Sequence, residues 1–316
     1  MPTDRVAELE RRIRSYLEAA PHVDLPALAP YVRPRTRQAR RAPRPAGSER
    51  YWIQLPQWLL ASCRRGPIER RFLRDVLWGQ YCLFLFVRIH DDLVDGQAHD
   101  RRLILIADDL LMESQSAFAR HFHHDDFASV CRGLLGTSLA AILKVDALQA
   151  NAGEMNAQQL HLYAAVSSIF KAGSAAVLFK CGERRWYSRV AAFCDHLAIA
   201  MQVLDDLFDI DQDLARGRVN FAANIVLDGG TRIDELRLAR SVLIEDSVGR
   251  VVEIAREQLE RAASVIAPTG VAAALTYIRG LHVAIIRYRD NVHRARVEHL
   301  LPGVPSKRLN RTISSH

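Results

Sequence analysis

The 316-residue chain has no stretch that alternates apolar and polar residues as a half-buried strand does, so no sheet is expected. It has no glycine-rich phosphate loop, no repeat of fixed period and no shift in composition that would mark a domain boundary. No uninterrupted apolar run reaches the length that spans a bilayer, so stable membrane insertion is not expected. The opening MPTDRVAELERRIRSYLEAA reads as an amphipathic helix carrying acids where a signal peptide would have its apolar core, and a cytoplasmic location is the expectation. Cysteine is sparse: Cys63, Cys82, Cys131, Cys181 and Cys194 are odd in number, form no CxxC and lie largely on apolar faces. All five are expected to be free, buried thiols of a reducing compartment.

The charge is +7 and the pI about 9.4, a balance that raises the question of nucleic acid. Most of the arginines are spread along the chain. Only residues 33–50, RPRTRQARRAPRPAGSER, form a dense basic block, and it lacks the interleaved aromatics of a single-strand binder. It reads as a proline-broken loop, with an anionic substrate as its other use, and no nucleic-acid partner is expected. The histidines offer no clean metal site; His121, His123 and His124 with Asp125 and Asp126 read as a polar loop between helices.

What is present is helix nearly throughout. Helices are expected at 4–20, 50–64, 68–95, 101–121, 127–149, 156–181, 187–216, 232–245, 247–266 and 270–298, punctuated by Gly66-Pro67, Gly96, Gly182, Gly229-Gly230 and Pro268-Thr269-Gly270. Helices this numerous with short connections make an all-α bundle in one domain over 1–316. Residues 1–50 supply an N-terminal helix and the basic loop, and 302–316 are expected to be a disordered tail.

Two acidic clusters stand out. QVLDDLFDIDQDLARGRVN, residues 202–220, places Asp205, Asp209 and Asp213 four apart, hence on one helix face, behind the apolar run VAAFCDHLAIAMQVL. RIHDDLVDGQ places Asp91, Asp92 and Asp95 together after the apolar VLWGQYCLFLFV. Each is an apolar helix ending in carboxylates. A solvated helix end explains either one alone. The pair, facing each other, would hold divalent cation across a diphosphate, since Mg²⁺ takes a few carboxylates plus waters and phosphate oxygens.

The pair resembles the class I isoprenoid (terpenoid) synthase superfamily over roughly residues 68–228. Asp91-Asp92-Leu93-Val94-Asp95 is similar to its first aspartate-rich motif and Asp205 to Asp213 to its second; DIDQDLARGRV, residues 209–219, is also similar to the second motif of squalene and phytoene synthases. The resemblance implies the class I helical bundle. It implies Mg²⁺ as cofactor, three ions with Mn²⁺ as a substitute, held by Asp91, Asp92, Asp95, Asp205, Asp209 and Asp213, which are then also the catalytic set. The implied substrate is an allylic prenyl diphosphate, and a homodimer is compatible with it.

Further candidate contacts to substrate follow. Lys171, in SSIFKAGSAAVLFK, stands where prenyl diphosphate synthases place a Lys-Thr pair, but Ala172 replaces the threonine. Arg101-Arg102 resembles part of the Arg-Arg-Gly that follows the first motif in those enzymes, and Arg287-Tyr288 resembles a late Arg-Tyr pair of microbial terpene cyclases. Arg216 and Arg218 close the second cluster, where they either reach diphosphate or pair with Asp213; Gln202 opens it. Each cation also has a bland reading as a solvated or snorkelling side chain. Phe86, five residues before Asp91, is expected to floor a chain-shaped cavity.

The Gly-Gly-Lys-x-x-Arg-Pro string that elongating synthases use for isopentenyl diphosphate is missing; the comparable place reads GSERYWIQLPQWLL. So is their Gly-Lys insert after the second motif. The sequence therefore favours a terpene cyclase, a lyase that ionises one allylic diphosphate. A prenyltransferase, head-to-tail or of the squalene/phytoene type, is the alternative. A helical scaffold or a basic nucleic-acid binder is the non-enzyme reading.

Overall fold

The computed structural model describes residues 3–19, 51–63, 70–94, 96, 98–123, 125–149, 157–227 and 240–300. Among these, every regular element is a helix. In order they are α1 (Thr3–Ala19), α2 (Tyr51–Ser62), α3 (Arg70–Val94), α4 (Leu103–Ala119), α5 (Asp125–Gln149), α6 (Leu160–Val166), α7 (Ala172–Cys181), α8 (Tyr187–Ala215), α9 (Phe221–Leu227), α10 (Arg240–Ile266) and α11 (Ala272–Leu300). The expected helices 232–245 and 247–266 are replaced by the single α10, with 228–239 outside the described residues, and α9 was not expected. The basic block 33–50, Asp95 and the tail 302–316 also lie outside them.

The bundle is built around one rod. The expected helix 156–181 is not continuous: α6 and α7 are joined by a 3₁₀ stretch, Ser167–Lys171. Ala172, Gly173, Ser174, Ala175, Ala176, Val177 and Leu178 are all buried, because small side chains let neighbouring helices close in. At Gly173 a Cβ would stand only 3.2 Å from Pro56 Cγ of α2 and 3.0 Å from Gln80 Oε1 of α3, so only glycine permits that approach.

Contacts along the rod give the helix directions. Trp52 meets Phe170 (ring centroids 5.5 Å apart), and Cys63 joins Cys181, so α2 runs parallel to the rod. Phe84 meets Phe170 at 5.9 Å while the earlier Gln80 meets the later Gly173, so α3 runs antiparallel. Tyr163 meets Asp206 while the later Lys171 meets the earlier Asp195, so α8 is antiparallel too. Helices α3 and α8 thus run along the rod in one direction, and both bring their C-terminal ends to the rod's N-terminal end.

The opposite end of the rod carries a correction. Cys63 and Cys181 form a disulfide, with Cα atoms 6.5 Å apart and 118 residues between them, so not all five cysteines are free thiols. Cys82, Cys131 and Cys194 are free. A second correction concerns length. The segments Asp126–Gln149 and Ala157–Cys181 are long and apolar enough, by length and composition alone, to cross a membrane. The latter is the rod, mostly buried within the bundle; the former is mostly exposed and carries Arg132, Lys144 and Asp146. Finally, His121 does not remain in a solvated loop: its Nε2 lies 2.9 Å from Oδ2 of the buried Asp75.

Candidate active site

On α3, residues 84, 88 and 91 recur at three- and four-residue steps, so Phe84, Arg88 and Asp91 form one stripe; Asp91 is 20° round the helix from Phe84 at about 100° per residue. Asp91 is half-buried and Asp92 is 9% exposed. Arg88, one turn earlier, holds both: its Nη2 lies 2.8 Å from Asp92 Oδ1 and its Nη1 3.7 Å from Asp91 Oδ2. The contact to Asp92 is close but off the line of a hydrogen bond, leaving Oδ1 buried with opposite charge nearby and no directed donor. The i, i+3/i+4 spacing of Arg88 to the acidic pair is the sequence signal for this contact.

On α8, Asp205, Asp209 and Asp213 are half-buried, while the intervening Asp206 faces inward at 3% exposure. Asp206 is fully engaged. Tyr163 donates its hydroxyl to Oδ2, the Phe221 amide donates to the same oxygen at 3.1 Å, and Gln202 Nε2 donates to Oδ1 at 3.0 Å. Burial pushes the Asp206 carboxyl up to about 7, against the pull of the Tyr163 and Gln202 hydrogen bonds. Burial, and then the neighbouring Asp206 charge, push the Tyr163 hydroxyl well above its usual range. Asp213 is also raised, first by burial, with Asp209 adding to the shift and the Asn220 hydrogen bond opposing it. A half-buried carboxylate held above its usual range, as Asp213 is, favours a compensating cation.

The helix ends cleanly after Asp213. Its carbonyl accepts from the amides of Arg216 (3.0 Å) and Arg218 (2.9 Å), a closure that needs Gly217 in the left-handed region (φ +76°). The following loop is stapled to α5: the Arg218 guanidinium pairs with Asp146, and Val219 N donates to Gln149 O at 3.0 Å.

The helix directions bring the two clusters to one level. From the Phe84–Phe170 contact, Asp91 lies seven residues further up α3, about 10 Å; seven residues back down the rod is Tyr163, which bonds Asp206. Among the described residues no group of three His, Cys, Asp or Glu side chains converges closely enough to cage a metal ion. Two sets of hard carboxylate oxygens at one level fit a cation that shares its coordination with a substrate's phosphates.

The remaining candidates are placed as follows. Lys171 is buried and pairs with Asp195 at 2.5 Å, eight residues (roughly 12 Å) along the rod from Tyr163; it lies below the acidic level rather than in it. Arg102 is mostly exposed and forks onto Asp100 (Nη2–Oδ2 2.6 Å), which holds that carboxyl below its usual range; Arg101 is exposed beside it. Arg218 is engaged by Asp146, and Arg216 is exposed at the end of α8. Gln202 serves Asp206. Arg287 is exposed and Tyr288 half-buried on α11. Phe86 is turned 140° from Asp91 and is 4% exposed, its ring 4.5 Å from that of His90. It belongs to another face of α3. The aromatic surface beneath Asp91 is instead Trp52, Phe84 and Phe170, with Trp52–Phe84 centroids 4.7 Å apart and Phe84 and Phe170 both half-buried.

No family model matches the sequence, and no curated protein matches it either. Solved structures do. An octaprenyl pyrophosphate synthase from Helicobacter pylori superposes with a TM-score of 0.62 at 11% identity, over 92% of this chain and 99% of that one. A decaprenyl diphosphate synthase from Rhodobacter capsulatus gives 0.61 at 15% identity over 92% and 97%. A polyprenyl synthase from Roseobacter denitrificans gives 0.55 at 19% over 89% and 99%. The all-helical architecture is therefore the class I isoprenoid synthase fold.

Proposed function

We propose that the protein is a prenyltransferase that ionises an allylic prenyl diphosphate at the shared level of the two acidic helix ends. The observation that carries this is the parallel course of α3 and α8 along the rod, which brings Asp91 and Asp92 level with the Asp205–Asp213 row. The likeness to polyprenyl, octaprenyl and decaprenyl diphosphate synthases over nearly their full length supports transfer above the cyclisation expected from sequence. The cyclase remains a second reading, favoured by GSERYWIQLPQWLL standing where the isopentenyl diphosphate string would be.

Asp91 and Asp92 on one side and Asp205, Asp209 and Asp213 on the other would hold Mg²⁺. That ion supplies positive charge against the diphosphate as it departs. Arg88 orients the first carboxylate pair. Arg216, exposed at the end of α8, adds cationic charge at the rim. The rings of Trp52, Phe84 and Phe170 exclude water and present π faces to the allylic cation. The test is incubation with C10, C15 and C20 allylic diphosphates, with and without isopentenyl diphosphate. Transfer predicts longer diphosphates only with the second substrate; cyclisation predicts hydrocarbon and free diphosphate without it. Asp91→Ala and Asp209→Ala should abolish either outcome while leaving the helical circular dichroism unchanged. Full activity after exhaustive EDTA would refute the metal assignment.

A further inference from the structure

Asn220 has no part in the reading above, yet it is fully buried and every polar atom of its side chain is used. Its Nδ2 donates to Asp206 O and to Asp213 Oδ2, each at 2.8 Å. Its Oδ1 accepts from Ala223 N at 2.9 Å, capping α9. The orientation of the amide is not arbitrary. Flipping it would set a carbonyl oxygen against the Asp213 carboxylate and the Asp206 carbonyl, and an NH₂ against the Ala223 amide. One side chain therefore ties two turns of α8 to the start of the next helix, and the acidic side chain it holds, Asp213, is one of the row.

We propose that Asn220 is the positioning residue of the second acidic cluster: it holds Asp213 Oδ2 and so fixes the orientation in which the Asp213 carboxylate would meet a divalent cation. This rests on the diphosphate reading and adds to it the device that aims one ligand. Without Asn220, the Asp213 carboxylate has its two oxygens free to rotate beside the like charge of Asp209, and the entropy of fixing it falls on the binding step. The buried layer beneath keeps the amide itself from moving: Asp206, whose carbonyl it grips, is pinned by Tyr163, Gln202 and Phe221. Groups that orient a ligand in this way typically carry 10–100-fold in metal affinity.

The two roles of Asn220 can be separated. A serine at 220 can still cap α9 through its Oγ but is too short to reach Asp213, so Asn220→Ser removes the positioning bond and keeps the cap. Thermal unfolding of the full chain is followed while Mg²⁺ is titrated at fixed inorganic pyrophosphate. The expectation is a ligand-free melting temperature close to the wild type's and at least a tenfold rise in the Mg²⁺ concentration giving half of the stabilisation. Asn220→Thr, which caps in the same way, is the second variant if the serine form does not fold. A lowered melting temperature with an unmoved Mg²⁺ midpoint would make Asn220 a helix cap and nothing more, and would overturn the proposal. A wild type indifferent to Mg²⁺ and pyrophosphate together would overturn the diphosphate reading itself, and this inference with it.

Discussion

Gly173→Ala should destabilise the protein, although the same change in most helices does the opposite. Replacing glycine by alanine inside a helix ordinarily gains up to about 1 kcal/mol. Here the new Cβ would lie 3.0 Å from Gln80 Oε1 and 3.2 Å from Pro56 Cγ, several tenths of an ångström inside ordinary contact. The proline ring cannot swing aside. Gln80 is completely buried, and its Oε1 accepts from Gly173 N at 2.6 Å, so it can move only by giving up that bond. Overpacking costs about 1–3 kcal/mol, and a buried amide left without its acceptor about 1–3 kcal/mol more. Against a gain of about 1 kcal/mol, the net is a loss of roughly 1–5 kcal/mol.

Urea unfolding measures this as a fall in midpoint at unchanged slope. Gly133→Ala on α5 is the control, because nothing lies within 4 Å of its added Cβ; it should gain about 0.5–1 kcal/mol. If Gly173→Ala also raised the midpoint, the close approach of α2 and α3 to the rod would be refuted. With it would go the alignment that brings the two acidic ends level.

Phe84→Ala should raise activity on C20 relative to C15 diphosphate, because Phe84 lies on the Asp91 stripe, whereas Phe86→Ala should lower the amount of folded protein and leave that ratio unchanged; the reverse pattern would return the cavity to the Phe86 face. Unfolded without reductant, the chain should titrate three thiols, rising to five after reduction. With a separation of 118 residues, reduction should cost up to about 5 kcal/mol on the chain-entropy account; five thiols without reductant would refute the Cys63–Cys181 pair. In metal-free buffer, stability should fall between about pH 4 and 7: Asp206 keeps its proton up to about 7 in the folded chain but only to about 4 when unfolded, so the folded state binds more protons across that window. The drop is on the order of 4 kcal/mol, and Asp206→Asn should flatten it; an unchanged slope in that variant would assign the titration elsewhere.

The fold was legible where the physics is local. A four-residue step stacks Asp205, Asp209 and Asp213 on one face of any helix, and apolar runs before each cluster can only be buried helix. For Phe86 the same arithmetic gives the depth along the helix, but five residues also turn it through 140°, so Phe86 and Asp91 lie on different faces. Phe84, seven residues back, satisfies both depth and direction. What sequence spacing cannot supply is the partner of a buried polar group. Asp206 is off the Asp205–Asp209–Asp213 face by one residue, and only Tyr163, 43 residues earlier, and Phe221, 15 later, show it to be the inward carboxylate beside that row. Lys171 and Arg218, candidates for diphosphate from their place in the sequence, pair with Asp195 and Asp146. In each case a buried or half-buried charge had to be matched, and the nearest opposite charge in space belonged to another helix. The outer faces of α3 and α8 are written into the sequence as periodicity. Their alignment with each other is written into the rod between them, whose run of small residues makes sense only once three helices are seen to close on it.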